Sequence, residues 1–351
     1  MRSTKGPSLS SPSLSFRARD YLLMAGALLA ALTLCVCAGS VSIPPGETIR
    51  ILWDAVTGKG AESGTNSAIL LSVRLPRVLT VALCGGALAL CGAVMQGLLR
   101  NPLADGSTMG VSSGAALGAV TAILIDFQPA GFPLGGTAVM AMIFAFLSLA
   151  LILGLVLWLD HSLSTTSIIL IGVIFSMFAS SLMSLMISLA HDKIKSLTFW
   201  TMGSFSGSRY ENALLVLGAL ILFGGALLSR WRELNAFALG EENARSIGVP
   251  VRRTKLMLMI CVSALIGVCV SIGGTIGFAG LVVPHILRML TGPNHRRLLP
   301  ASLFGGAVFL LLTDLAARML LRPVELPIGV VTSLIGAVFF VAIFYRTRKG
   351  R

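Results

Sequence analysis

The chain is divided into apolar runs of about twenty residues, and an α-helix needs that length to cross the hydrocarbon core of a bilayer. Runs near 20–41, 75–98, 107–126, 134–158, 167–190, 212–230, 255–273, 276–291, 301–320 and 326–345 meet that requirement. Gly and Pro interrupt the third and eighth. The fold class expected is therefore an all-α integral membrane protein of about ten transmembrane helices. Composition agrees: 55% of the 351 residues are hydrophobic and 12% charged, whereas a soluble domain carries about 25% charged residues. A large soluble enzyme is excluded on that ground.

Charge supplies the orientation. The formal net charge of +13 could suggest a nucleic-acid partner, but the basic residues fall in short loops between apolar runs, as membrane topology requires. With ten spans and both termini on one side, that side holds 18 of the 27 Lys and Arg residues and the other side nine. Both termini are thus expected in the cytoplasm, with no nucleic acid as partner. Residues 1–19 read as a disordered basic tail ahead of a single transmembrane domain over 20–351. The first run could be a signal peptide, but it is long and lacks a small-residue cleavage site, so an uncleaved anchor is expected.

Between the runs, Trp231–Lys255 is the largest cytoplasmic connection. It mixes apolar and charged residues at helical spacing, with Gly248 and Pro250 as a stop, and predicts one or two short amphipathic helices. The segment His191–Asn212 is aromatic and polar, and predicts an interfacial element. The six cysteines (Cys35, Cys37, Cys84, Cys91, Cys261 and Cys269) all sit in apolar runs without zinc-ligand spacing, which predicts buried free thiols.

Within the runs, Gly106, Gly110, Gly114 and Gly118 repeat every four residues and predict a close helix approach. Ser176, Ser180, Ser184 and Ser188 form a second stripe, either hydrogen-bonding glue between helices or the wall of a wet pathway. Met177, Met183 and Met186 accompany it. Asp314 and Arg318 are spaced for a local ion pair. His285 follows Pro284 with no second ligand at helical spacing, so no metal is expected. There is no carboxylate ladder for an ion relay and no phosphate-binding glycine loop. An ion-coupled secondary transporter remains the alternative class, and a membrane-embedded enzyme a third.

Seven stretches in order, from residue 70 to the end, resemble the FecCD-type permeases, importers of ferric siderophores, haem and cobalamin. They are RLPR (74–77), GAVMQGLLRNPLADGSTMGVSSGAALG (92–118), LSTTSIILIG (163–172), WTMGSFSG (200–207), LGEENARSIG (239–248), GFAGLVVPHILRMLTG (277–292) and ELPIGVVTSLIG (325–336). Gly106 and Val338 stand where relatives often have Pro. The resemblance implies a multi-pass protein of the bacterial plasma (inner) membrane that works by alternating access, with no catalysis and no cofactor in this chain. It further implies a second permease copy or paralogue, a cytoplasmic ABC ATPase dimer that carries ATP and Mg, an extracytoplasmic substrate-binding protein, and an iron-siderophore, haem or cobalamin cargo.

The resemblance also assigns roles. Arg74, Arg77 and Arg318 match positions that face acidic residues of the binding protein; interfacial anchoring or local ion pairs are the alternatives. Asn101 and Leu103, with Ser164, Thr165 and Thr166, match the cytoplasmic gate; a plain turn is the alternative at Asn101-Pro102. Leu239, Gly240, Glu241, Ala244, Ile247 and Gly248 match the segment that docks in an ATPase groove, or else form a solvated loop.

Overall fold

A computed structural model describes residues 16–39, 41, 43–57, 64–129, 135–160, 163–190 and 192–349. The expected tail thus lies outside the described residues up to position 15. The described residues fold into helices α1 (Ala18–Cys37), α2 (Pro45–Thr57), α3 (Thr65–Leu98), α4 (Val111–Leu124), α5 (Gly135–Leu159), α6 (Thr165–Leu189) and α7 (Ile194–Thr201). They continue with α8 (Tyr210–Ser229), α9 (Trp231–Ala238), α10 (Glu241–Ser246), α11 (Val251–Gly273), α12 (Ala279–Thr291), α13 (His295–Met319) and α14 (Ile328–Lys349). Seven (α1, α3, α5, α6, α8, α11 and α13) are long and apolar enough to cross a membrane, and α4, α12 and an apolar stretch of α14 are shorter. Each expected run meets one of these ten. The chain is an all-α integral membrane protein.

The core is built on α3, α11 and α13, the most deeply buried helices. The α3–α13 contact is the most extensive, and glycines permit it: a Cβ on Gly85 or Gly306 would collide with the other helix's backbone. The same logic joins α3 to α12. Pro284 has no N–H to give the Gly280 carbonyl, the partner it would have four residues back. That carbonyl instead lies against Gly92, where any side chain would collide with it.

Two helices carry a wide π turn. In α3 it spans Ile69–Arg74, just before Pro76. Pro76 can neither donate to nor sit comfortably against the carbonyl of Ser72, and widening the turn relieves that conflict. This helix starts at Thr65, ten residues before the expected run, because its first turns are too polar to register as membrane-spanning.

The third run departs from expectation. A single helix over 107–126 was predicted to carry all four glycines on one face. Instead Gly106–Met109 is a 3₁₀ turn, Gly110 is left-handed (φ +75°), and α4 begins only at Val111. Gly114 and Gly118 do pack closely, against Ser148, Met140 and Phe144 of α5. Gly110 meets Ile152 of α5 together with Gly172 and Phe175 of α6, and Gly106 meets Ile266 of α11. The four-residue repeat therefore serves three different neighbours.

Loop chemistry closes the helix ends. Lys193 donates to the carbonyls of Ile123 (3.1 Å) and Leu124 (3.0 Å) and pairs with Asp126, satisfying acceptors at the end of α4. The expected interfacial segment contains α7, and the expected amphipathic helices in Trp231–Lys255 are α9 and α10. All six cysteines are free, five of them buried and Cys37 half-buried.

Candidate functional site

The residues singled out by sequence fall into three places: the end of the bundle around Arg74 and Arg318, the exposed face of α6, and the opposite end around α9 and α10.

The arginines expected to face a partner lie inside the chain. Arg74, Arg77 and Arg318 are 4%, 6% and 4% exposed. Arg77 pairs with Asp314 at 2.9 Å and with Glu325 at 2.8 Å, while Arg318 pairs with the second Asp314 oxygen at 2.9 Å. One buried carboxylate thus holds two guanidinium groups, a larger assembly than the Asp314–Arg318 pair expected. Arg74 donates to the carbonyls of Val36 and Cys37, each at 3.1 Å, and to that of Val41. Arg318 adds contacts to Cys35 and Ala38 at 3.4 Å, and Arg322 donates to Gly39 at 2.6 Å. The last carbonyls of a helix have no partner within it and carry partial negative charge, so this cluster caps the end of α1. Within a single chain these guanidinium groups are directed at its own groups: Arg77 and Arg318 at the local ion pairs left open as the alternative to docking, Arg74 at backbone carbonyls.

The serine stripe lies on α6, much of whose surface the chain leaves uncovered. Ser176 is half-buried and donates to the Gly172 carbonyl at 2.9 Å; Ser184 is exposed and donates to that of Ser180 at 2.9 Å. Ser180 and Ser188 are exposed, as is Met177, while Met183 and Met186 are half-buried. The hydroxyls of Ser176 and Ser184 thus bond within their own helix rather than to a neighbouring one.

At the third place, the chain turns sharply after α3. Arg100 is left-handed (φ +48°), and the Asn101 side chain accepts from the Leu103 N–H at 2.9 Å. This is an Asx turn, the local role expected of Asn before Pro. Leu103 is exposed. Across from it, Ser164 caps α6 by accepting from the Ser167 N–H at 3.2 Å, with Thr165 and Thr166 opening the helix. Asp160 accepts from Ser164 N at 3.0 Å and from the Ser167 hydroxyl at 2.6 Å, bracing the start of α6.

Beside these turns stand α9 and α10. Gly240 (φ +114°) and Gly248 (φ +90°) flank α10, and both conformations favour glycine. Leu239 and Ile247 are 70% and 68% exposed, whereas Ala244 is fully buried in the core. Of the expected docking residues, Ala244 therefore packs against its own chain. Glu241 is half-buried and pairs with Lys255 at 2.6 Å. Sequence reasoning missed Lys255 and Asn235. Asn235 accepts from the His295 N–H and lies 2.9 Å from the His295 ring nitrogen, while its amide donates to Asn294 at 2.9 Å, tying α9 to α13. Only the buried position of Lys255 marks it, and position was not legible from the loop's composition.

Comparison with known proteins gives a consistent picture. The model of the FecCD transport family matches residues 27–346. The vitamin B12 import system permease protein BtuC of Citrobacter koseri is 38% identical over 327 residues, 92% of each chain. The molybdate import system permease protein MolB of Haemophilus influenzae is 37% identical over 313 residues, 89% of this chain and 90% of the other. A solved ABC transporter of metal-chelate type, in an inward-facing conformation, superposes with a TM-score of 0.81 at 34% identity, covering 94% of this chain and all of the other.

Proposed function

The chain belongs to the FecCD transport family of ABC importer permeases, multi-pass proteins of the inner membrane, and from that membership we propose that it carries a ferric siderophore or a related metal chelate into the cytoplasm by alternating access. The observation that carries the mechanism is α10, a short helix between left-handed glycines that presents Leu239 and Ile247 to solvent beside the turns at Asn101 and Ser164. Exposed apolar side chains on a water-facing segment favour a partner groove. In this reading a cytoplasmic ABC ATPase dimer, which holds ATP and Mg, docks there, and this chain holds no cofactor. In the same reading ten spans put both termini on one side, and the excess of Lys and Arg there makes that side the cytoplasm.

A second permease copy or paralogue faces the uncovered side of α6, so that the Ser176–Ser188 stripe lines a passage of weak contacts, as a large cargo requires. Asn101 and Leu103, with Ser164, Thr165 and Thr166, close its cytoplasmic end. An extracytoplasmic binding protein delivers the cargo and supplies most of the selectivity. Cobalamin is the second reading, supported by the likeness to BtuC.

The test is uptake by vesicles holding this chain, its ATPase and its binding protein, with iron-55 ferric siderophore and cobalt-57 cobalamin as cargoes. Uptake should stop when ATP hydrolysis is blocked and survive a protonophore. The opposite pattern would point to an ion-coupled secondary transporter.

A further inference from the structure

Lys255 sits five residues into α11, in the half of that helix next to α10, and its side chain is fully buried. A buried ammonium is costly unless its donors are matched. Here one donor goes to the Leu163 carbonyl at 2.7 Å and another to Glu241 Oε1 at 2.6 Å. These two acceptors belong to different parts of the site. Leu163 is a left-handed residue (φ +55°) immediately before the Ser164 cap, and its N–H is held by the Asp160 carbonyl at 3.1 Å. Glu241 is the first residue of α10. Arg100, at the Asn101 turn, lies beside Gly240 on the other side.

We propose that Lys255 is a positioning residue that passes displacement of α10 to the turn opening α6, through its paired contacts to Glu241 and the Leu163 carbonyl. This rests on the reading of Leu239–Gly248 as the ATPase contact and of Ser164–Thr166 as the gate. Because Asp160 holds Leu163, Ser164 and Ser167 together, a pull on the Leu163 carbonyl moves the start of α6 as a body rather than deforming one peptide. The two short hydrogen bonds make the link stiff, and burial of the ammonium and of Leu163 keeps water from replacing the carbonyl acceptor.

Thr166→Cys serves as the reporter, since Thr166 is exposed at the start of α6. Its labelling by a water-soluble maleimide is measured in the complex with the ATPase, nucleotide-free and trapped with ADP-vanadate, after subtraction of the signal from the chain lacking the reporter. In the otherwise native chain the labelling rate should change between the two states. With Lys255→Met, which keeps length and loses the donors, that difference should be lost while the ATPase still co-purifies. Lys255→Arg, which keeps both donors, should retain it. Leu258→Ala, a buried apolar truncation on the same helix, controls for destabilisation and should keep the difference even if its melting temperature falls as far.

A native nucleotide difference in Lys255→Met overturns the proposal, as does an equal loss in Leu258→Ala at a matched melting temperature. If the reporter chain itself shows no difference, or binds no ATPase, the functional reading fails and the proposal falls with it.

Discussion

At the scale of single residues, charge at the outer end of α3 is structural. Asp314 neutralises Arg77 and Arg318 inside the chain, so removing it leaves Arg77 with Glu325 and Arg318 with backbone carbonyls. Breaking a buried pair costs about 3–5 kcal/mol. Asp314→Ala should therefore sharply lower melting temperature and yield in detergent, more than Glu325→Ala, whose carboxylate is partly exposed. A native melting temperature for Asp314→Ala would reopen the docking role for these arginines. Sequence spacing located the Asp314–Arg318 pair because both lie on one helix. It could not locate Arg77, 237 residues away from Asp314, nor show that Arg74 spends its donors on the carbonyls of α1.

At the scale of elements, glycine and proline set how closely helices approach. Gly92→Val forces α3 off α12, and no rotamer relieves it because the obstacle is the Gly280 backbone. Overpacking of this kind costs about 1–3 kcal/mol or more, so the variant should melt lower than Gly154→Val, where the added carbon meets nothing. Equal melting temperatures would mean that α3 and α12 do not touch so closely. For α10 the prediction divides the docking segment in two. Leu239→Glu and Ile247→Glu should each weaken ATPase co-purification, by about 1–3 kcal/mol if these side chains anchor the contact, without lowering the melting temperature. Ala244→Leu should instead lower the melting temperature, because Ala244 is enclosed by its own chain. Loss of ATPase binding without destabilisation in Ala244→Leu would return that residue to the docking face.

At the scale of the whole molecule, a single chain leaves much of α6 uncovered. If α6 lines a wet passage between two permeases, Ser180→Cys and Ser184→Cys should react with a water-soluble maleimide in membranes. Trp158→Cys and Leu147→Cys, exposed on α5, serve as lipid-side controls and should react slowly. Reaction at all four alike, or at none, would remove the pathway assignment. Orientation is checked separately: with 18 basic residues on the side of both termini and nine on the other, reporters fused to each end should both be cytoplasmic.

The sequence by itself determined the class and the approximate place of each apolar helix, because the bilayer imposes a length and a polarity that can be counted along one chain. The family, and with it the Ser164 region, came from resemblance of ordered motifs. The amphipathic helices α9 and α10 were legible because each depends on residues close together in sequence. Tertiary structure alone decided which polar groups are inside. Arg74, Arg77, Arg318 and Lys255 are each held by acceptors far along the chain. A buried charge survives only where a matching acceptor is brought to it. That matching is a property of how helices pack, which hydropathy does not encode.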